Sequence, residues 1–211
     1  MQIQKQKSVS EQIYDLLFSQ IIDGTLLAGT RLAEEKIAAQ LGVSRTPVRE
    51  SILRLEHDGL LRNKYVIEPT RKDIDECYEV RILMEGYAAR KAATCMSVPD
   101  KQALKELIEE AKSGDFGASM KAHTVFHNVI VRASNNEQIS HVIERMQAII
   151  LLCRRDVVRH RSSVAHEHDN ILQAIIDGDA DLAETLMKQH LTDNYEDMLS
   201  RVPTHKEPSS F

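Results

Sequence analysis

The feature that most restricts this chain is a turn. Between Glu34 and Asp58, two segments of helical period are separated only by Gly42-Val43. Helices joined by so tight a glycine turn must cross one another, which describes a helix-turn-helix. Glu34 to Leu41 carries Ile37, Ala38 and Leu41 inward. Ser44 starts the second segment as a capping residue. That segment runs to about Asp58, with Val48, Ile52 and Leu55 four and three apart on one face. Upstream, Ser8 to Asp23 places Ile13, Leu17 and Ile21 four apart with Leu16 beside them, and Gly24 stops that helix. Downstream, Gly59 ends the third helix, and Leu60 to Pro69 is apolar and β-rich enough for a short hairpin. Residues 1–70 are therefore expected to form a winged helix-turn-helix.

After Thr70 the pattern lengthens. Amphipathic helices are predicted at 73–95, 99–113, 117–134, 137–160, 162–177 and 180–200. Ser97 caps the second. Gly114 and Gly117 flank one break, Asn135-Asn136 makes another, and Gly178-Asp179 divides the last two. Thr204 to Phe211 is polar and is expected to fray. With no Trp, four Phe and five Tyr, the core must come from Leu, Ile, Val, Met and Ala. That favours packed helices over a β-sandwich. The expected fold is mainly α, with a helical bundle over 71–211. No run nears the roughly 18 apolar residues of a membrane span, and Met1 to Ser10 has no apolar run, so neither a membrane partner nor a secretory signal is expected. Cys77, Cys95 and Cys153 are scattered and form no C-x-x-C, which fits a reducing cytoplasm.

The net charge of -5 excludes a general nucleic-acid coat. The first seventy residues carry nine cations and nine anions, so the acidic excess lies beyond them. A DNA surface must be local, and the third helix supplies one. Arg45 and Arg49, four apart, share the face opposite the apolar stripe. Arg forks pair with guanine O6 and N7, and the N-terminal end of such a helix meets base edges. Ser44 and Thr46, with free N–H groups at the helix start, suit phosphate oxygens. Pro47 is tolerated in the first turn, where its missing N–H has no intrahelical partner.

Gly24-Thr25-Leu26, Gly29-Thr30-Arg31-Leu32, Leu41 to Glu50 with its Ser-Arg-Thr-Pro-Val-Arg-Glu string, Arg54-Leu55-Glu56 and Gly59-Leu60 together resemble the GntR family of bacterial regulators. The resemblance covers residues 8–62. It implies that Arg45 and Arg49 contact bases, and that Ser44 and Thr46 contact backbone or base edges. Three positions depart from the family pattern. Ala28 stands where Pro is usual. Glu35 stands where an Arg for DNA is common, and no contact is assigned to it. The wing, Arg62-Asn63-Lys64-Tyr65, lacks the usual Arg-Gly pair. Arg62 and Lys64 are expected to touch phosphates.

Four of the nine histidines stand out. His123 and His127 are four apart on one helix face, a spacing at which two imidazoles can share a metal. His168 is in phase with Leu172 and Ile175, and His190 with Leu186 and Met187, so both lean inward. Four inward histidines on three helices can converge on a metal, as bundle sites do, or can be hydrogen-bonded core residues. His166 points away. Residues 73–200 resemble the FCD effector domain, with six to seven antiparallel helices, of the FadR-type branch of the same family. The resemblance rests on Phe126-His127 with Ala133-Ser134-Asn135, on Glu167-His168 with Ile171 and Ala174-Ile175, and on Gly178-Asp179 with Ala183, Met187 and His190-Leu191. It implies a metal held by His127, His168 and His190, with His123 where metal-binding members carry Asp. An imidazole in place of a carboxylate favours zinc, or alternatively nickel, over manganese. The resemblance also implies that Arg81 faces the cavity and clamps an effector carboxylate. The alternative for Arg81 is a surface pair with Glu85. Arg132, Arg154, Arg155, Arg159 and Arg161 are expected to be mostly solvated.

The expectation is a regulator, most simply a repressor, controlled by a small organic acid. It is expected to be a homodimer, because a palindromic operator demands a two-fold protein. A metal hydrolase would need a general base near the metal, and Thr124-Val125-Phe126 between the first two histidines supply none. An architectural DNA binder would keep the four histidines as core.

Overall fold

A computed structural model describes residues 7–112, 115–161 and 163–201, with the side chains of Asp156 and Arg201 left aside. Gly114, Ser162, His205 and the tail from Thr204 lie outside the described residues. The chain divides into two compact units. The first runs to Pro69 and takes in Gln147–Ile149, and the second comprises Thr70–Met146 and the chain from Ile150.

The first unit holds α1 (Val9–Ile22), α2 (Glu34–Leu41), α3 (Arg45–His57), β1 (Leu61–Arg62) and β2 (Tyr65–Val66). Ser8 and Glu11 cap α1 reciprocally, satisfying N–H groups that a helix start leaves without partners. Gly42 takes the left-handed conformation (φ 66°) that closes α2, and the chain turns into α3 there. Val48, Ile52 and Leu55 are at most 1% exposed and pack with Ile13, Leu17 and Ile21 of α1. Leu41 and Leu16 are exposed, against expectation. Helices this short bury only a narrow stripe, and both residues fall at its edge.

β1 and β2 pair antiparallel, Leu61 with Val66 and Arg62 with Tyr65. Asn63 and Lys64 make the two-residue loop with φ of 52° and 66°. This is the mirror-image turn whose twist matches a hairpin, so a wing forms without glycine. The Lys64 backbone is held from both sides. Its N–H donates to Glu56, and its carbonyl accepts from the N–H of Leu32.

The second unit is a bundle of α4 (Arg71–Cys95), α5 (Val98–Lys112), α6 (Phe116–Ala133), α7 (Glu137–Arg145), α8 (Gln147–His160) from Ile150 on, α9 (Val164–Asp177) and α10 (Ala180–Arg201). Thr70 and Asp73 cap α4 reciprocally. Asn136 caps α7 by accepting from Gln138 and Ile139. The single helix predicted over 137–160 is two, broken at Met146. Arg145-Met146-Gln147 contains no breaker residue, so the sequence carries no signal for that break. Small residues let α4 approach its neighbours closely, with Ala88, Ala89 and Ala92 at 0% exposure. Ile176 and Leu182 are exposed, and Ala183 takes the inward position on α10. No described helix is long and apolar enough to cross a membrane.

Candidate functional site

Two groupings of side chains carry chemistry, one in each unit. In the first unit, the start of α3 presents Ser44, Arg45, Thr46 and Arg49 to solvent. Ser44 occupies the N-cap position, yet its hydroxyl makes no capping bond. The first-turn N–H groups of α3 and that hydroxyl therefore remain open to an oxygen acceptor. Arg45 is paired with the Glu35 carboxylate at 2.7 Å and lies 3.8 Å from Glu34. Glu35, a position with no expected role, neutralises Arg45. Lys64 of the wing bonds Glu34 at 2.7 Å. The Glu34 side chain is only 10% exposed, and the Lys64 ammonium beside it holds its carboxyl below the usual range. One carboxylate thus ties α2 to the wing. Arg62 is exposed on β1.

In the second unit, the four histidines converge. His123 and His127 come from α6, His168 from α9 and His190 from α10, all at most 3% exposed. Each offers one ring nitrogen to a group whose members all lie within 4.8 Å of one another. His127 Nε2 and His190 Nε2 are 3.3 Å apart.

The sequence did not single out the partners behind these rings. His127 Nδ1 donates to Glu85 at 2.5 Å, and His190 Nδ1 donates to Glu167 at 2.7 Å. Each carboxylate fixes the tautomer, leaving an Nε2 lone pair aimed into the cluster. Two such lone pairs at 3.3 Å have no proton between them. Asn194 Nδ2 reaches one of them, at His190 Nε2, over 3.0 Å, and Arg161 bonds Asn194 in turn. Both nitrogens of His123 and Nε2 of His168 are buried with no partner. Burial foremost, then the neighbouring imidazoles and Arg154, hold His123 and His168 well below the ordinary imidazole range. Burial likewise brings His127 down to about 3 against the pull of Glu85. The rings are neutral, which is the state that binds a metal.

The donor set passes a test of fit. Four nitrogens at 2.0–2.1 Å from a tetrahedral ion lie roughly 3.4 Å apart; here all four lie within 4.8 Å of one another, and those of His127 and His190 are 3.3 Å apart. The orphaned nitrogens and the carboxylates behind two of the rings are the features of a metal site. His166 is exposed, as expected.

Arg81 is neither solvated nor wholly free. It is 1% exposed, and its Nε donates to Glu85 at 2.7 Å, so the pair with Glu85 forms, but in the interior rather than at the surface. Its Nη2 has no partner. Arg81, Glu85 and His127 thus form a buried chain from guanidinium to carboxylate to imidazole. Arg154, expected in solvent, is 1% exposed. The signal for it was present in the sequence: Ile150, Leu151, Val157 and Val158, one turn to either side, are all apolar. Arg161 is also largely buried and bonds Glu167 at 2.6 Å. A cleft of about 190 Å³ reaches His123 and His168 past Ser119, Lys112 and Arg161. It is small beside the roughly 300–1,000 Å³ of drug-sized sites.

Comparison with known proteins finds relatives for both units. Residues 9–64 match the family described as bacterial regulatory proteins, gntR family, and residues 76–193, more than half of the chain, match the FCD domain. The chain is 32% identical over 197 residues to the probable D-xylose utilization operon transcriptional repressor of Paenarthrobacter nicotinovorans, covering 87% of this chain and 86% of that one. It is 29% identical to the gluconate operon transcriptional repressor of Bacillus subtilis (strain 168), covering 86% and 80% respectively. The crystal structure of a GntR transcriptional regulator from Rhodococcus sp. RHA1 superposes with a TM-score of 0.77 at 27% identity, covering 93% of this chain and all of that one. The chain belongs to the GntR family of transcriptional regulators, with a DNA-binding helix-turn-helix followed by an FCD domain.

Proposed function

We propose that this regulator is a cytoplasmic, homodimeric repressor whose hold on a palindromic operator is set by a small acid at a metal-bearing FCD domain. Residues 1–70 serve as the DNA-binding domain, and residues 71–211 as the effector and dimerisation domain. Arg45 and Arg49 meet base edges, Ser44 and Thr46 meet phosphate or base edges, and Arg62 and Lys64 of the wing meet phosphates. The pairing of Arg45 with Glu35 and of Lys64 with Glu34 implies that DNA must displace carboxylates. The Arg45–Glu35 pair is exposed, and such pairs are worth only about 0–1 kcal/mol, so a base or phosphate replaces it readily.

His123, His127, His168 and His190 hold a divalent ion, zinc in preference and nickel as the alternative, since four imidazoles suit borderline metals. The observation that carries this reading is the pair of Nε2 lone pairs facing each other at 3.3 Å, each backed by a carboxylate. Such an ion supplies a Lewis-acidic anchor for a ligand oxygen when bound. The chain's own residues do the rest. Glu85 and Glu167 hold the rings in register, and Arg81 presents its free Nη2 to the carboxylate of the effector.

Binding sites selected from randomised DNA at stated salt, with zinc-loaded and metal-stripped protein, test the reading. A short palindrome enriched by the loaded protein, whose retention changes when small acids are added, supports it. Enrichment indifferent to both metal and acids overturns the effector half and leaves the DNA half standing.

A further inference from the structure

The reading surface of the first unit carries a carboxylate that binding to phosphates alone does not call for. Arg45 Nη1 donates to Glu35 at 2.7 Å, and both side chains are exposed. Glu34, one residue earlier, is in a different position. It is largely covered and bonded to Lys64 of the wing at 2.7 Å, so it has a partner when Arg45 leaves. Among the described residues, Arg45 is the one partner of Glu35. DNA that takes Arg45 therefore strands Glu35 at the groove, where phosphates repel it. A carboxylate in that place is unfavourable unless the DNA itself offers it a donor.

The two side chains answer different atoms. A guanidinium has only donors, and an ionised carboxylate only acceptors. In the major groove, a pair of guanine and cytosine shows two acceptors, guanine N7 and O6, followed by a donor, the cytosine N4 amino group. A pair of adenine and thymine instead alternates acceptor, donor and acceptor. An arginine fork with a carboxylate beside it complements the first pattern and not the second. The two tips, 2.7 Å apart, span less than the rise of about 3.4 Å between successive base pairs. Both therefore fit on the edge of one pair. There the bond between Arg45 and Glu35 is replaced by bonds from Arg45 to guanine and from cytosine to Glu35. On a phosphate, Arg45 trades one anionic oxygen for another, and Glu35 gains nothing.

We infer that Arg45 and Glu35 read one pair of guanine and cytosine in each half-site as a unit, with Glu35 the specificity-determining residue that accepts from cytosine N4. The inference rests on the reading that the start of α3 enters the major groove. It adds a base-reading role for α2, and it names the base pair. Arg49 shares the reading surface but has no ion pair among the described residues, so it has no such companion.

The test uses the full chain as wild type, Glu35→Ala and Arg45→Ala. Each protein selects sites from randomised duplex DNA at one stated salt. Its affinity is then measured for the wild-type palindrome and for an unrelated duplex. The wild type is expected to keep one invariant pair of guanine and cytosine per half-site, and both variants to relax that same pair. Glu35→Ala is expected to bind the palindrome about tenfold more weakly and the unrelated duplex at least as tightly as the wild type does. A carboxylate that only repels DNA gives the opposite sign, tighter binding of the palindrome by Glu35→Ala, and that result overturns the proposal. Relaxation at a different pair, or at none, overturns it too. A second measurement removes the donor from the DNA. With 2-pyrimidinone, which lacks the 4-amino group, in place of that cytosine, the wild type is expected to lose about tenfold in affinity and Glu35→Ala much less. Equal losses in the two proteins overturn the proposal. Arg45→Ala separates the two levels. If its selected sites match those of the wild type, the reading of α3 itself fails. If Arg45→Ala relaxes the pair and Glu35→Ala does not, only the role of Glu35 fails.

Discussion

The two units place their chemistry on opposite sides of their cores. The helix-turn-helix unit has a plain apolar interior, Val48, Ile52 and Leu55 against Ile13, Leu17 and Ile21, and keeps its polar chemistry on the outside. The bundle buries its chemistry: four histidines, Arg81, Glu85 and Arg154 are all at most 3% exposed. A site on the surface can change its side chains with little effect on folding. A site in the core is part of what holds the fold together, and every atom of it needs a partner.

Four experiments can break or sharpen that contrast. The largest effect is expected from Arg81→Ala, which strips Glu85 of a buried partner. Denaturant unfolding should show a loss of about 3–5 kcal/mol, and a loss below about 1 kcal/mol would mean that water reaches Glu85 freely. Next comes metal removal. Chelation should lower the melting temperature by the equivalent of about 2.7 kcal/mol when zinc had been at a hundredfold excess over its Kd. An unchanged melt would make the histidines ordinary core. Third, Arg45→Ala and Arg49→Ala should each weaken operator binding by about 1–3 kcal/mol and relax specificity at one base pair per half-site, with melting unchanged. A uniform loss over all DNA sequences would make them phosphate contacts instead. The smallest effect is expected from Lys64→Ala. It should shift stability by no more than about 0.5 kcal/mol and reduce the salt slope of DNA binding by about one. A larger drop in stability would show that the Glu34 pair is a structural tie across the unit.

Legibility in the sequence follows the same division. The reading helix was plain because its inward stripe and outward arginines obey one period, and Gly24, Gly42 and Gly59 take positive φ where breaks were expected. The inward lean of the four histidines was legible from phase, and their grouping into one set from the family resemblance. Their carboxylate partners were not, since Glu85 lies on α4 and Glu167 on α9, and only packing brings them to rings on α6 and α10. Arg154 was misplaced because charge was weighed above the apolar residues around it. The break at Met146 had no local cause to find.

The bond between His190 and Glu167 has a consequence for synthesis. His190 belongs to α10, the last of the described helices, and that helix packs along α4, the first of the bundle. Tyr195 reaches Asp75 at 2.9 Å, and Arg90 pairs with Asp181, each closing a span of about a hundred residues. Chains grow at about 5–20 residues per second from the N-terminus. The helix-turn-helix unit can therefore be complete while the nascent chain still lacks one of its four imidazoles. A growing chain at that stage carries a complete helix-turn-helix and an incomplete histidine cluster, and only the emergence of α10 brings the two into one molecule.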